Sequence, residues 1–176
     1  MTLKLALQRD VSAERIQHRR RFLQLGFGAA ASLAMPSAFA NIITSPERKL
    51  SLLNLHTGEN INATYWAEGQ YQTSELHAIN RVLRDHRTGD VIDMDSDLIE
   101  LLNILHHKMD GKQAFHVISG YRSAKTNAML NKKSSGVAKK SLHMQGRAID
   151  IRLPGRQLAS LQQAAMQLHA GGVGYY

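Results

Sequence analysis

A short run of alternating residues, 146–153, constrains the fold of this chain more than any other feature. It reads Gly-Arg-Ala-Ile-Asp-Ile-Arg-Leu, so that apolar and polar side chains follow one another with a period of two. In a strand, this period places Ile149 and Ile151 on one face and Asp150 and Arg152 on the other. The run therefore predicts a strand with one buried face, and Asp150 projects from the opposite face.

A histidine precedes this strand, because His143 lies seven residues before Asp150. Gly146 stands between them and lets the backbone turn freely. A carboxylate held on a strand, together with an imidazole on the preceding loop, suits a zinc site with nitrogen and oxygen ligands. Taken alone, such a pair is more often a loop histidine and a solvated carboxylate, because two ligand-type residues do not define a site.

The first 40 residues have the pattern of an export signal. Arginines at 19–21 precede Phe22-Leu23, a short apolar stretch covers 25–34, and Ala38-Phe39-Ala40 forms an A-x-A cleavage site. The order R-R-x-F-L resembles the twin-arginine signal of bacteria. The apolar stretch is shorter than the roughly 20 residues that a membrane helix needs. We therefore expect residues 1–40 to be a cleaved twin-arginine signal peptide; a retained N-terminal anchor is the alternative.

The charge and the absence of cysteine narrow the class of protein. The 176 residues carry a net charge of +8, of which residues 1–40 hold +4 from six Lys or Arg against two Asp or Glu. The remaining 136 residues are therefore only mildly basic, and they have no basic-aromatic pattern, which argues against a nucleic-acid partner. Without cysteine or a G-x-S-x-G serine, covalent catalysis has no support. We expect one periplasmic domain, residues 41–176, with no stable membrane insertion after cleavage.

Hydrophobic spacing along residues 41–176 predicts a mixture of strands and helices. Two strand-like runs around Thr57–Asn60 indicate a hairpin, and a further strand is expected at Ala114–Ser119. The predicted helices cover residues 73–87, 96–109, 124–132 and a last segment that begins after Pro154-Gly155. Val173 begins another strand-like run.

Two segments near these strands have more than one interpretation. Arg122 follows the 114–119 strand in Ser-Gly-Tyr-Arg-Ser, a position where functional side chains often lie, although it could equally pair with a carboxylate. Residues 131–141 are polar and basic. Such a segment is most often a solvated loop, and it could alternatively form one wall of a cleft that attracts carboxylates.

The twin-arginine pattern, Ser119-Gly120-Tyr121-Arg122-Ser123 and the S-x-H-x-x-G-x-A-x-D element at 141–150 occur together and in order. With these motifs the chain resembles the bacterial cell-wall zinc metallopeptidases, the LAS group that includes D-Ala-D-Ala carboxypeptidases, lysostaphin-type enzymes and the hedgehog domain. The likeness runs from about Leu50 to Tyr176 and is strongest to the exported murein endopeptidases.

The resemblance implies an α+β domain in which a small antiparallel sheet with flanking helices carries a zinc site. His143 and Asp150 fall on the first two metal-ligand positions of the family. Arg122 falls on the arginine that stabilises the oxyanion in related enzymes.

The chain also departs from the family pattern. In the family a third ligand, a histidine of a late H-x-D segment, and the catalytic base follow the glycine-tyrosine stretch, whereas this sequence ends at Tyr176. His169 is out of step with that motif and is not expected to be a ligand. We expect the 41–176 domain to lack its C-terminal strand and third ligand, as a fragment or a natural truncation, and to bind zinc weakly by itself.

The function implied by the resemblance is a zinc-dependent murein endopeptidase that hydrolyses the peptide cross-links of peptidoglycan with metal-activated water. Two alternatives remain open. One is a D,D- or L,D-carboxypeptidase of the same fold, and the other is a non-catalytic cell-wall-binding module.

Overall fold

The computed structural model describes residues 2–7, 46–134 and 136–175. Its strands are β1 (Leu3–Leu7), β2 (Glu47–Asn54), β3 (Asn60–Ala67), β4 (Gln70–Tyr71), β5 (Phe115–Ser119), β6 (Ala148–Arg152) and β7 (Gly171–Tyr175). Its helices are α1 (Thr73–Val82), α2 (Ser96–Lys108), α3 (Ala124–Lys133) and α4 (Leu158–Met166), and a 3-10 helix covers Leu142–Gln145.

The strands form one sheet in the order β4-β3-β2-β5-β6-β1-β7. The predicted α+β class is confirmed, because helices and a largely antiparallel sheet make up the domain. One pair differs from a purely antiparallel sheet, since β2 and β5 lie parallel. A parallel pair needs a long crossover connection, and here α1 and α2 supply it.

The central strand β6 has the two faces that its sequence predicts. Ile149 and Ile151 are buried in the core, whereas Asp150 is half-buried and Arg152 is exposed. The helices α1, α2 and α4 pack against the sheet and close the core. The face opposite the apolar row is therefore the one on which a polar site can form.

The predicted hairpin is confirmed as β2 and β3, with Gly58 in the left-handed conformation (φ 73°) at its turn. The side chain of Asn54 organises this turn, since its Oδ1 accepts a hydrogen bond from the His56 amide at 2.9 Å. Its Nδ2 donates to the Val82 carbonyl at 2.8 Å, which ties the hairpin to the end of α1.

Helix α1 ends at Val82, five residues before the predicted end at Arg87. The carbonyl of the next residue, Leu83, accepts a hydrogen bond from the Tyr121 amide at 2.7 Å. A contact between distant segments thus takes the place of further helical hydrogen bonds, and spacing along the chain could not predict it.

Strand β1 fills a position between β6 and β7 and pairs antiparallel with both. Leu3, Leu5 and Leu7 are buried, and Lys4 lies opposite Asp150 in the register. This strand falls inside the predicted signal peptide, whereas the rest of that prediction, residues 8–40 with the cleavage site, lies outside the described residues. No helix in the described ranges has the length and apolar character needed to span a membrane.

A buried carboxylate supports the turn after β5. Asp85 accepts hydrogen bonds from the amides of Arg87 and Ser123, both at 2.9 Å. Burial alone would raise the pKa of Asp85, but hydrogen bonds from Thr126, Ser123 and Arg87 outweigh it and hold that pKa well below its ordinary value. Asp85 is therefore ionised and fixes the chain between β5 and α3.

In the uncleaved chain, we expect Leu5→Ala to lower the free energy of unfolding by about 2–5 kcal/mol, because it leaves a cavity in the hydrophobic core against β1. The exposed Leu55 is a matched control, for which Leu55→Ala should change stability by less than about 0.5 kcal/mol. Urea denaturation of both variants measures the difference. Equal effects at the two positions would mean that β1 does not contribute to the sheet in solution.

Asp85→Asn should destabilise the fold by about 1–3 kcal/mol at pH 7, because an amide nitrogen would then face a backbone N–H. Since the pKa of Asp85 is lowered by folding, its contribution is present above about pH 4 and is lost as the pH falls through its folded-state pKa. The difference in the free energy of unfolding between Asp85→Asn and the unsubstituted protein should therefore decrease below pH 4.

Urea denaturation at several pH values checks this expectation. The exposed Asp90 is the control, and Asp90→Asn should have little effect. A destabilisation by Asp85→Asn that stays constant down to pH 2 would contradict the proposed role of the charge.

Candidate functional site

The turn that follows β5 approaches its neighbours too closely for any side chain at Gly120. A Cβ atom there would lie 2.4 Å from the Leu83 carbonyl oxygen. Two residues further on, the side chain of Ser123 caps α3 by accepting a hydrogen bond from the Thr126 amide at 3.2 Å, as predicted. These contacts explain Gly120 and Ser123 of the Ser-Gly-Tyr-Arg-Ser motif and hold the chain on both sides of Arg122.

The 3-10 helix at Leu142–Gln145 carries His143, whose side chain is 0% exposed. The predicted turn at Gly146 is confirmed, with φ 66° and a built Cβ only 2.9 Å from the Asp93 carbonyl. The Arg122 amide donates to the His143 carbonyl at 3.2 Å. The two segments named by the sequence motifs are thus joined directly through their backbones.

The imidazole of His143 has one satisfied nitrogen and one free nitrogen. Nδ1 lies 2.8 Å from the Gly120 carbonyl oxygen, and because a carbonyl can only accept, Nδ1 carries the hydrogen. Nε2 is buried without a hydrogen-bond partner among the described residues and lies 3.5 Å from Oδ2 of Asp150. Its lone pair is therefore available to a metal ion held beside this carboxylate.

Arg122 is the cation of this site. Its Nη2 lies 3.9 Å from Oδ2 of Asp150, and the two side chains are 13% and 17% exposed. Nη2 also donates to Oγ of Ser119 at 3.3 Å, and Nη1 donates to Oδ1 of Asn127 at 3.5 Å. Burial lowers the pKa of Arg122, the Asp150 carboxylate opposes that shift, and arginine stays charged at neutral pH.

The geometry of His143 and Asp150 fits two ligands of one zinc ion. Two ligands about 2.0–2.1 Å from a tetrahedral zinc lie about 3.3 Å apart, close to the 3.5 Å between Nε2 and Oδ2. Within the described ranges, no group of three His, Cys, Asp or Glu side chains could hold a metal ion. His169 is exposed in the left-handed conformation (φ 49°) and adds no ligand here.

The structure brings together all three side chains predicted for the site, Arg122, His143 and Asp150. The supporting residues were not predicted. Asp85 and Asn127 come from the end of α1 and from α3, and spacing along the sequence gives no sign that they approach Arg122.

Comparisons with known proteins agree with the motifs. The family profile described as peptidoglycan L,D-endopeptidase MepK matches residues 43–176. The chain is 40% identical over 160 residues to the peptidoglycan L,D-endopeptidase MepK of Escherichia coli (strain K12), which covers 90% of this chain and 88% of that protein. It is 35% identical over 162 residues to the probable peptidoglycan L,D-endopeptidase MepK of Haemophilus influenzae, covering 91% and 87%. No solved structure matches the chain.

The predicted kinship with murein endopeptidases is therefore confirmed, since the profile covers the whole of the described domain from β2 to β7. This chain belongs to the peptidoglycan L,D-endopeptidase MepK family of peptidases.

Proposed function

We propose that this protein is a zinc-dependent murein endopeptidase that hydrolyses peptide cross-links of peptidoglycan. The observation that carries the proposal is the buried, unpartnered Nε2 of His143 beside the Asp150 carboxylate. A buried nitrogen lone pair without a partner costs free energy unless a ligand satisfies it. The family is generally zinc-dependent, and the names of the relatives favour a bond between an L and a D centre.

In this proposal His143 and Asp150 hold the metal. The hydrogen bond from Nδ1 to the Gly120 carbonyl fixes the tautomer and the ring orientation before any metal binds. Zinc, when bound, would lower the pKa of its water ligand to near neutral and, as a Lewis acid, would polarise the scissile carbonyl. By resemblance to the family, we expect a further histidine ligand and the general base to belong to an H-x-D segment.

Arg122 stabilises the negative charge that develops on the scissile carbonyl oxygen. Its guanidinium is held by Ser119 and Asn127 and lies next to the proposed metal site. A donor fixed in this way needs no reorganisation during the reaction, and loss of one such donor typically lowers the rate about 100- to 1000-fold.

Export to the periplasm by the twin-arginine route completes the proposal. The family profile begins at residue 43, three residues after the proposed cleavage at Ala40, which supports a domain boundary there. Cleavage would also remove β1 from the sheet, so that the exported domain would expose strand edges on β6 and β7.

His143→Ala and Asp150→Ala should each abolish stoichiometric zinc binding and murein hydrolysis, because each removes one of two ligands. The protein is expressed from its complete reading frame, and zinc is measured by atomic emission spectroscopy. The exposed His77 on α1 provides the control, since His77→Ala should keep both properties. Full hydrolysis with zinc still bound in Asp150→Ala would disprove the assignment.

The products identify the class of enzyme. An endopeptidase converts cross-linked muropeptide dimers into monomers, whereas release of single terminal residues from monomers would indicate the carboxypeptidase alternative. Zinc binding without cleavage of either substrate would favour a cell-wall-binding module.

Arg122→Gln should lower kcat about 100- to 1000-fold with little change in KM, because it removes a charge needed only in the transition state. Zinc content should remain that of the unsubstituted protein. Arg81→Gln on the exposed side of α1 is the control with the same change in charge. An unchanged kcat in Arg122→Gln would remove this residue from the mechanism.

A further inference from the structure

One part of the chain next to the site lacks acidic residues altogether. Between Gly111 and Ile149 there is no Asp or Glu, whereas eight residues are Lys or Arg. Four of these basic residues, Lys132, Lys133, Lys139 and Lys140, are exposed at the end of α3 and in the segment that follows it. We call these four residues the lysine wall.

Two side-chain amides of α3 hold the backbone of residues 137–139, next to the second pair of lysines, against that helix. Nδ2 of Asn127 donates to the carbonyls of Ala138 and Lys139 at 3.0 and 3.2 Å. One turn further along α3, Nδ2 of Asn131 donates to the Val137 carbonyl. The backbone of residues 137–139 is therefore held by α3 through three hydrogen bonds.

The same amide connects the lysine wall to the proposed catalytic arginine. Asn127 is 2% exposed, and its Oδ1 accepts the hydrogen bond from Nη1 of Arg122. On the other side, Lys140 directly precedes Ser141, whose hydroxyl accepts a hydrogen bond from the His143 amide at 3.4 Å. The backbone at Lys139 and Lys140 is thus linked through Asn127 to the arginine and through Ser141 to the histidine of the site.

The four lysines of the lysine wall form no salt bridge within the described residues. Four exposed cations close together in one part of the chain attract anions over a Debye length, about 8 Å at physiological ionic strength.

We propose that the lysine wall binds the free carboxylates of an acidic peptide substrate and thereby selects it. This inference rests on the proposed function, because it concerns substrate binding at the same site. A peptide with a free terminal carboxylate and acidic side chains brings several negative charges, and the wall can bind those that lie outside the scissile bond. Asn127 is a positioning residue, because its side chain bonds Arg122 and also the backbone next to Lys140.

The first test compares Lys139→Gln/Lys140→Gln with Lys49→Gln/Lys112→Gln. The control pair removes the same charge. Its lysines lie at the N-terminal ends of β2 and β5, about 17 Å or more along the strands from the C-terminal ends, where Arg122 lies. For cleavage of a muropeptide dimer, the wall variant should raise KM about three- to tenfold with kcat nearly unchanged. The rise in KM should disappear in about 1 M salt, where the Debye length is about 3 Å.

Asn131→Ala loosens the wall without touching Arg122 and should also raise KM alone. Asn127→Asp keeps an acceptor for Arg122 but loses both bonds to the segment, so it should raise KM more than Asn131→Ala does. An unchanged KM in the lysine and Asn131 variants, or a fall in kcat with KM unchanged, would overturn the inference.

A binding measurement separates this inference from the proposed function. Calorimetry compares a synthetic uncrosslinked stem peptide with the same peptide after amidation of its carboxylates. Amidation should weaken binding to the unsubstituted protein by about the same factor as the lysine substitutions, and the two changes together should add little more. The protein could bind the acidic peptide through these lysines without cleaving murein. That result would support carboxylate binding by the lysine wall and disprove the proposed endopeptidase activity.

Two results of the calorimetry, with a single-stranded oligonucleotide added as a third ligand, would refute the proposal. One is equal affinity for the free and amidated peptides. The other is tighter binding of a single-stranded oligonucleotide than of the acidic peptide at the same salt concentration, which would identify a general polyanion surface.

Discussion

The hydrogen bond from Nδ1 of His143 to the Gly120 carbonyl joins the two segments on which the site depends. It connects the turn after β5 to the 3-10 helix before β6, and the Arg122 amide reinforces this link through the His143 carbonyl. Because the carbonyl is itself fixed by the close approach of Gly120 to Leu83, the imidazole has one orientation and one tautomer. The position of Nε2 beside Asp150 therefore follows from backbone contacts.

The charged side chains around this link are largely buried and are held by hydrogen bonds as well as by ion pairs. Asp85 lies beneath the turn with its charge satisfied by hydrogen bonds, and Arg122 lies above it with its guanidinium shared among Ser119, Asn127 and Asp150. Arg122 and Asp150 form a long ion pair, with Nη2 and Oδ2 3.9 Å apart. In the proposed function this guanidinium is the group that would stabilise negative charge on the substrate.

Much of this arrangement was predictable where the signal is local. The alternation of β6, the Ser123 cap and the turn at Gly146 are properties of a few neighbouring residues, and the motifs at 119–123 and 141–150 predicted the three residues that meet. The early end of α1, the place of β1 in the sheet and the role of Asn127 depend on contacts between residues far apart in sequence. Propensity and spacing carry no information about such contacts, so only the folded chain reveals them.

The parallel pairing of β2 with β5 has a consequence for how fast the molecule folds. The chain leaves β2 at Asn54 and returns at Phe115, and the intervening residues must close a long loop before this pair gains any hydrogen bond. High sequence separation of contacts slows folding, so the hairpin of β2 and β3 can form early while the junction with β5 forms late. The turn that carries Arg122 follows β5 directly, and β6 with Asp150 pairs with β5 as well. The proposed site is therefore built on a strand whose parallel pairing closes a long loop.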